Sequence, residues 1–147
     1  MISRADILST AKTALESASA LSGISVVLDE GTETKTIEEE LRTTGAIISL
    51  PPIEKFSPRS DQQAAGALLG DAQFVVRLEI NPTINSERTT PFSFEVIRAG
   101  IATALVAIAV DAHGDRFRLM ADELTMFDSG LMAAALTFQK GAHINPY

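Results

Sequence analysis

Gln73-Phe74-Val75-Val76-Arg77-Leu78-Glu79-Ile80 is the stretch that decides the fold class. Phe74, Val76, Leu78 and Ile80 alternate with Val75, Arg77 and Glu79, so the two sets leave a strand on opposite faces. One face is built for burial and the other carries charge. Strands of an all-parallel sheet are apolar on both faces, so this pattern points to an antiparallel or mixed sheet.

Downstream, residues 81–90 are polar and contain Pro82, which reads as a loop. Thr90-Pro91 then supplies a good N-cap followed by proline at the first helical position. Val96, Ile97, Gly100, Ile101, Ala104, Leu105 and Ile108 form a wide apolar stripe, which predicts a helix over 90–112 stopped by Gly114. Such a helix would be about 30 Å long at 1.5 Å per residue. Two strands follow at 117–127 and 131–139, joined by Asp128-Ser129-Gly130 as a hairpin connection. Met132, Ala134, Leu136 and Phe138 share a face of the last strand. The alternation of its partner breaks near Asp122-Glu123, which predicts a bulge there. Residues 141–147 read as a loose tail.

Upstream, residues 53–71 are the hardest to read. Ser57-Pro58-Arg59-Ser60-Asp61-Gln62-Gln63 is turn-rich, and residues 64–69 are small and mildly apolar, so the stretch is expected to be a long, mobile loop. Before it, Ala46 to Leu50 has strand composition and ends at Pro51-Pro52, which cannot donate to a ladder. Thr36-Ile37-Glu38-Glu39 has a capping-box pattern and opens a short helix to about Thr43. Ile24 to Leu28 reads as a strand. Ile7, Leu8, Ala11, Leu15 and Ala18 recur at helical spacing over 3–22, with Ser3 and Asp6 in capping-box position and Gly23 as the stop. The order α-β-α-β-β-α-β-β predicts a single α+β domain over 1–147. Its expected form is two layers: a mixed, mainly antiparallel sheet of about five strands, with two long helices packed on one face.

Composition narrows the function. The chain has 147 residues, 46% of them apolar and 21% charged, which are globular values. Lys plus Arg is 12 against 19 for Asp plus Glu, a net charge of −7. That leaves no excess of cations for general nucleic-acid binding. The absence of cysteine removes disulfides, thiolate metal sites and a Cys nucleophile. The longest apolar stretch, residues 100–110, is about half of the roughly 20 residues a spanning helix needs. With Asp6 near the start and no apolar core of signal-peptide length, a soluble protein retained in its cell is expected, with no membrane partner.

Catalytic hardware is thin. Asp111-Ala112-His113-Gly114-Asp115 holds three side chains able to ligate a metal or do acid/base work in five residues. It also suits the polar end of a helix, with His113 near the negative pole. Asp128-Ser129-Gly130 lacks the partners and the elbow of a serine hydrolase. Glu38-Glu39-Glu40 fits the first turn of a helix. No P-loop, dinucleotide fingerprint, EF-hand or H-E-x-x-H motif occurs, and no cofactor is expected.

Four pieces together resemble the tail terminator (tail completion) proteins of long-tailed phages and prophages. They are the first helix leading into Ile24-Ser25-Val26-Val27-Leu28; the stretch from Ile37 through Gly45 and Ala46 to Pro51-Pro52; Phe74 to Ile80 followed by a polar loop and a long helix; and the closing hairpin ending Ala133-Ala134-Ala135-Leu136-Thr137-Phe138-Gln139. The resemblance implies a non-enzymatic α/β subunit forming a hexameric ring that caps the tail tube and joins it to the head. Its partners would be further copies of itself, the tail tube protein and the head–tail connector. It would be found in the cytoplasm of the bacterial host during assembly and then in the virion tail. Ring contacts would come from sheet edges and from the loops at 57–70 and 81–90. The implied interface residues are Arg59, Asp61, Gln62, Gln63, Asn85, Glu87 and Arg88, with Arg77 on the wetter face of its strand. The alternative from the residues alone is a small α/β enzyme or ligand-binding domain with its site near Asp111, His113 and Asp115.

Overall fold

The computed structural model describes residues 1–59, 68–126 and 130–144. The strands are β1 (Ile2–Ser3), β2 (Ser25–Leu28), β3 (Ala46–Leu50), β4 (Lys55–Pro58), β5 (Leu68–Ile80), β6 (Arg118–Met126) and β7 (Met132–Ile144). The helices are α1 (Ile7–Ser17), α2 (Thr34–Thr43), the one-turn α3 (Pro82–Ser86) and α4 (Phe94–Val106).

Two 13-residue strands, β5 and β7, form the axle of the sheet, paired antiparallel from Leu68↔Ile144 to Ile80↔Met132. Each is long enough to take two short partners on its outer edge. Beyond β5 lie β4, opposite residues 70–73, and β3, opposite residues 77–80. Beyond β7 lie β6, antiparallel, and β1, parallel. β2 adds to β3 in parallel and ends the sheet on that side. Strand twist accumulated along the axle curls the seven strands into a half-barrel.

This overturns the expected two-layer fold of about five strands under two long helices. Among the described residues the sheet has seven strands, and three helices of 11, 10 and 13 residues, besides the one-turn α3, accompany it. The difference comes from local chemistry. Residues 55–58, expected in a loop, pair with β5, and residues 141–144, expected in a loose tail, continue β7. The last long helix starts late because Phe92 is held extended. Its N–H donates to Asn85 Oδ1 at 2.8 Å and its carbonyl accepts from Asn85 Nδ2 at 2.9 Å. Ser93, not Thr90, therefore caps α4, accepting from the Val96 N–H. The helix stops at Val106 and spans about 20 Å at 1.5 Å per residue. The first helix is preceded by a 3-10 turn at Arg4–Asp6, and Ser3 does not cap it. The polar loop after β5 opens with α3, capped by Asn81 with Pro82 behind it. Gly45, at φ +89°, turns α2 into β3 where a Cβ would lie 3.0 Å from the Asn85 backbone.

The alternation read at 73–80 holds. Phe74, Val76, Leu78 and Ile80 are all buried, facing Phe138, Leu136 and Ala134 of β7 and Ile48 of β3 in one cluster. Phe74 stacks on Phe138 with centroids 5.7 Å apart and meets Phe117 edge-on at 5.9 Å. Ile7, Ala11 and Leu15 of α1 and Ile97, Ile101 and Leu105 of α4 close this face. β3 is buried along its whole length, and Ile47 with Leu41 of α2 lies outside the main cluster. The bulge sits between Leu119 and Ala121, three residues before the predicted place.

Candidate functional site

The segment 107–117 leaves α4 and is folded around one side chain. Asp111 Oδ1 accepts from the N–H of His113 at 2.9 Å and of Asp115 at 3.1 Å. Its Oδ2 accepts from Lys140 Nζ at 2.6 Å, and Lys140, 3% exposed, also donates to the Gly141 carbonyl. Burial alone would raise the Asp111 carboxyl, but Lys140 and the two amides outweigh it and hold it below the usual carboxylate range. The amine of Met1 donates to His113 Nδ1 and lies 3.6 Å from Asp111 Oδ2.

Asp115 turns the other way, onto β5 and β7. Arg59 binds Asp71 through two nitrogens and reaches Asp115 Oδ1 at 3.3 Å. The bond to Asp71 raises the Arg59 pKa, and the bond from Arg59 lowers that of Asp71. Asp115 sits on Gly141, where a Cβ would come within 2.5 Å of its carboxyl carbon. A polar cleft of about 130 Å³ opens here, lined by Arg59, Asp71, Asp115, Arg116, Arg118 and Gln139. Asp111, His113 and Asp115 thus do not converge on a shared point. Asp111 serves the loop's own turn and pairs with Lys140. Asp115 pairs with Arg59 through Oδ1, its Oδ2 buried without a hydrogen-bond partner among the described residues. Among the described residues no group of three or more His, Asp or Glu is placed to hold a metal ion.

The expected interface residues are dispersed. Arg59 follows β4 and its N–H donates to the Leu69 carbonyl near the start of β5, while Arg77 lies on the wet face of β5, 3.8 Å from Glu79. Asn85 and Arg88 follow its far end. The 13 residues of β5 put these ends about 40 Å apart at roughly 3.3 Å per residue. Asn85 is spent on Phe92. Arg88 donates to the Thr44 carbonyl at 3.1 Å and stacks 4.1 Å over the Phe92 ring. Glu87 is exposed. Asp61, Gln62 and Gln63 lie outside the described residues.

The exposed apolar side chains lie elsewhere. Leu119 (40% exposed), Met120 (53%) and Leu124 (51%) belong to β6, and Val96 (56%) to α4. β6 pairs only with β7, so its outer edge is open among the described residues, as is that of β2 at the other end of the sheet. Arg98 of α4 ties β6 down, donating to Asp122 Oδ1 at 2.7 Å and 3.1 Å and to Glu95 at 3.1 Å. An open groove of about 390 Å³ runs beside β2, between it and the end of α1, lined by Ala18, Leu21, Ile24, Ser25 and Val26 among others. One signal in the sequence pointed here: residues 99–110 carry no charge on any side, although a surface helix has a polar face.

No helix among the described residues is long and apolar enough to cross a membrane. No known protein family and no curated protein matches the chain. Among solved structures, it is similar to a chain of one described as "Virion of native gene transfer agent (GTA) particle". The identity is 13%, the match covers 88% of this chain and 84% of that one, and the TM-score is 0.49.

Proposed function

We propose that the protein is a structural subunit of a phage or phage-like particle, which assembles into a ring that caps the tail tube and joins it to the head. It has no catalytic site of its own in this reading. Its partners are further copies of itself, the tail tube protein and the head–tail connector, and its place is the host cytoplasm during assembly and then the virion. The resemblance of its sequence elements to tail terminators supports the reading. The observation that carries it is that β6 and β2, on opposite sides of the sheet, each have an open outer edge among the described residues, as the short β1 and β4 also do, and that β6 carries exposed Leu119, Met120 and Leu124. A long, open, apolar edge invites strand pairing and is normally blunted or covered. An edge at each end of one sheet suits heterologous contacts, which close into rings when the rotation allows. Of the side chains that would suit the alternative, an enzyme at Asp111, His113 and Asp115, Asp111, the His113 ring and Asp115 Oδ1 are engaged in internal bonds, while Asp115 Oδ2 is buried without a partner among the described residues.

Negative-stain imaging of the purified full chain, alone and mixed with a tail tube protein, tests the proposal. Closed rings of six subunits, seated on tube ends in the mixture, are expected. Featureless monomers in both samples would overturn it.

A further inference from the structure

We infer that the contact between copies is an antiparallel strand addition, in which the open edge of β6 pairs with the open edge of β2 of the next subunit. This rests on the ring reading and specifies its joint. Three observations converge on it.

The first is which face each side chain takes. Leu119 and Leu124 of β6 lie opposite Phe138 and Ala134 of β7, whose side chains are in the core under α1 and α4. They therefore point to the helix-covered face. Across a continued sheet they stay on that face, where a groove runs beside β2; serines and Glu16 line its rim, and Ala18, Leu21, Ile24 and Val26 form its floor. Strand addition uses such a combination of free edge and adjoining pocket.

The second is spacing. With Leu119 set beside Leu28, the strands run antiparallel for four rungs to Ile24. Leu124 arrives at the same level, because the bulge after Leu119 takes up one residue. Both leucines then meet apolar partners.

The third is charge. Arg118, the first residue of β6, and Arg116 just before it line the rim of the cleft that holds Asp71 and Asp115; both are exposed and make no ion pair within 4 Å among the described residues. Asp29 and Glu30 follow directly on β2. The antiparallel joint brings these arginines to these acids. A parallel joint would instead set Asp29 near Asp122 and Glu123. Pairing of β6 with its own copy would oppose Asp122 and Glu123 to themselves. Like charges directly opposite across strands are unfavourable, so both alternatives lose.

The chain has no cysteine, so engineered disulfides report the joint cleanly. Full-length Leu28→Cys and Leu119→Cys are mixed and oxidised, with Ser25→Cys plus Leu119→Cys as the comparison. The first mixture is expected to give a covalent dimer. The second is expected to give at least tenfold less, since three residues displace the sulfurs by about 10 Å, beyond disulfide reach. Independently, Arg118→Glu, measured well below its own melting temperature because Arg118 also attracts Asp71, should weaken association at least tenfold. Mixing it with the Asp29→Arg, Glu30→Arg variant should restore association. Native oligomers without the first cross-link, or with the second instead, would overturn the antiparallel joint and leave the ring reading standing. A native chain that stays monomeric at every concentration would overturn both.

Discussion

Arg98 Nη2 donates to Asp122 Oδ1 at 2.7 Å, tying the middle of α4 to the open strand β6. The bond to Asp122 raises the Arg98 pKa, and the guanidinium is 15% exposed. Among the described residues β6 has a strand neighbour on one side only, so this clamp adds to its pairing with β7. Arg98→Ala is expected to cost about 1–2 kcal/mol, the lower part of the range for charged hydrogen bonds because Asp122 is partly wet. Urea denaturation measures it. Hydrogen exchange should show faster opening in β6 than in β5.

Acid should weaken the loop around Asp111. Its carboxyl and that of Asp71 are held below their ordinary value, so both contribute stability that is complete at neutral pH. On acidification the unfolded chain takes up protons first, near pH 4, and the folded chain only below that. Stability should therefore fall as pH drops from about 4 toward the depressed native values. The loss in urea midpoint between pH 7 and pH 3 is expected to be smaller in Asp111→Asn than in the native chain. An equal loss in both would remove Asp111 from the account.

Gly141 and Asp115 occupy one space. Gly141→Ala should force the Asp115 carboxyl off β7 and away from Arg59, at a cost of about 1–3 kcal/mol, as for other overpacked sites. In an Asp115→Ala background the same change should cost little. The double-mutant cycle reads this coupling directly.

Asn85 and Glu87 should separate, although both lie in the loop expected to reach a partner. Asn85→Ala breaks two bonds to Phe92 and is expected to lower stability by about 1–3 kcal/mol. Glu87→Ala, at an exposed position, should stay within about 0.5 kcal/mol. Thermal melts of the two variants at one concentration make the comparison.

The sequence is most legible where burial is one-sided. Phe74 to Ile80 alternates because one face meets the core, and the structure keeps that pattern. It is least legible where a side chain far along the chain decides the backbone. Asn85 delays α4 past Pro91, and no local propensity signals that. Asp111 follows the uncharged run at 99–110 and folds the segment after it by accepting from the N–H groups of His113 and Asp115. Residues 55–58 become a strand only because β5 is long enough to offer them an edge. The candidate surface follows the same division. The uncharged run at 99–110 and a break in alternation, read near Asp122-Glu123, are visible in the sequence, whereas the bulge itself lies between Leu119 and Ala121. That β6 closes one side of the sheet and β2 the other is a matter of strand order, which pattern alone does not carry.

The central claim is that the chain assembles through its sheet edges. Its most direct test is the absolute mass by light scattering across a concentration series, for the native chain and for Leu119→Glu, Leu124→Glu. The native chain should grow to six times the monomer mass while the variant, melting at the same temperature, stays monomeric. A native chain that remains a monomer throughout, or a variant that assembles equally well, would contradict the account.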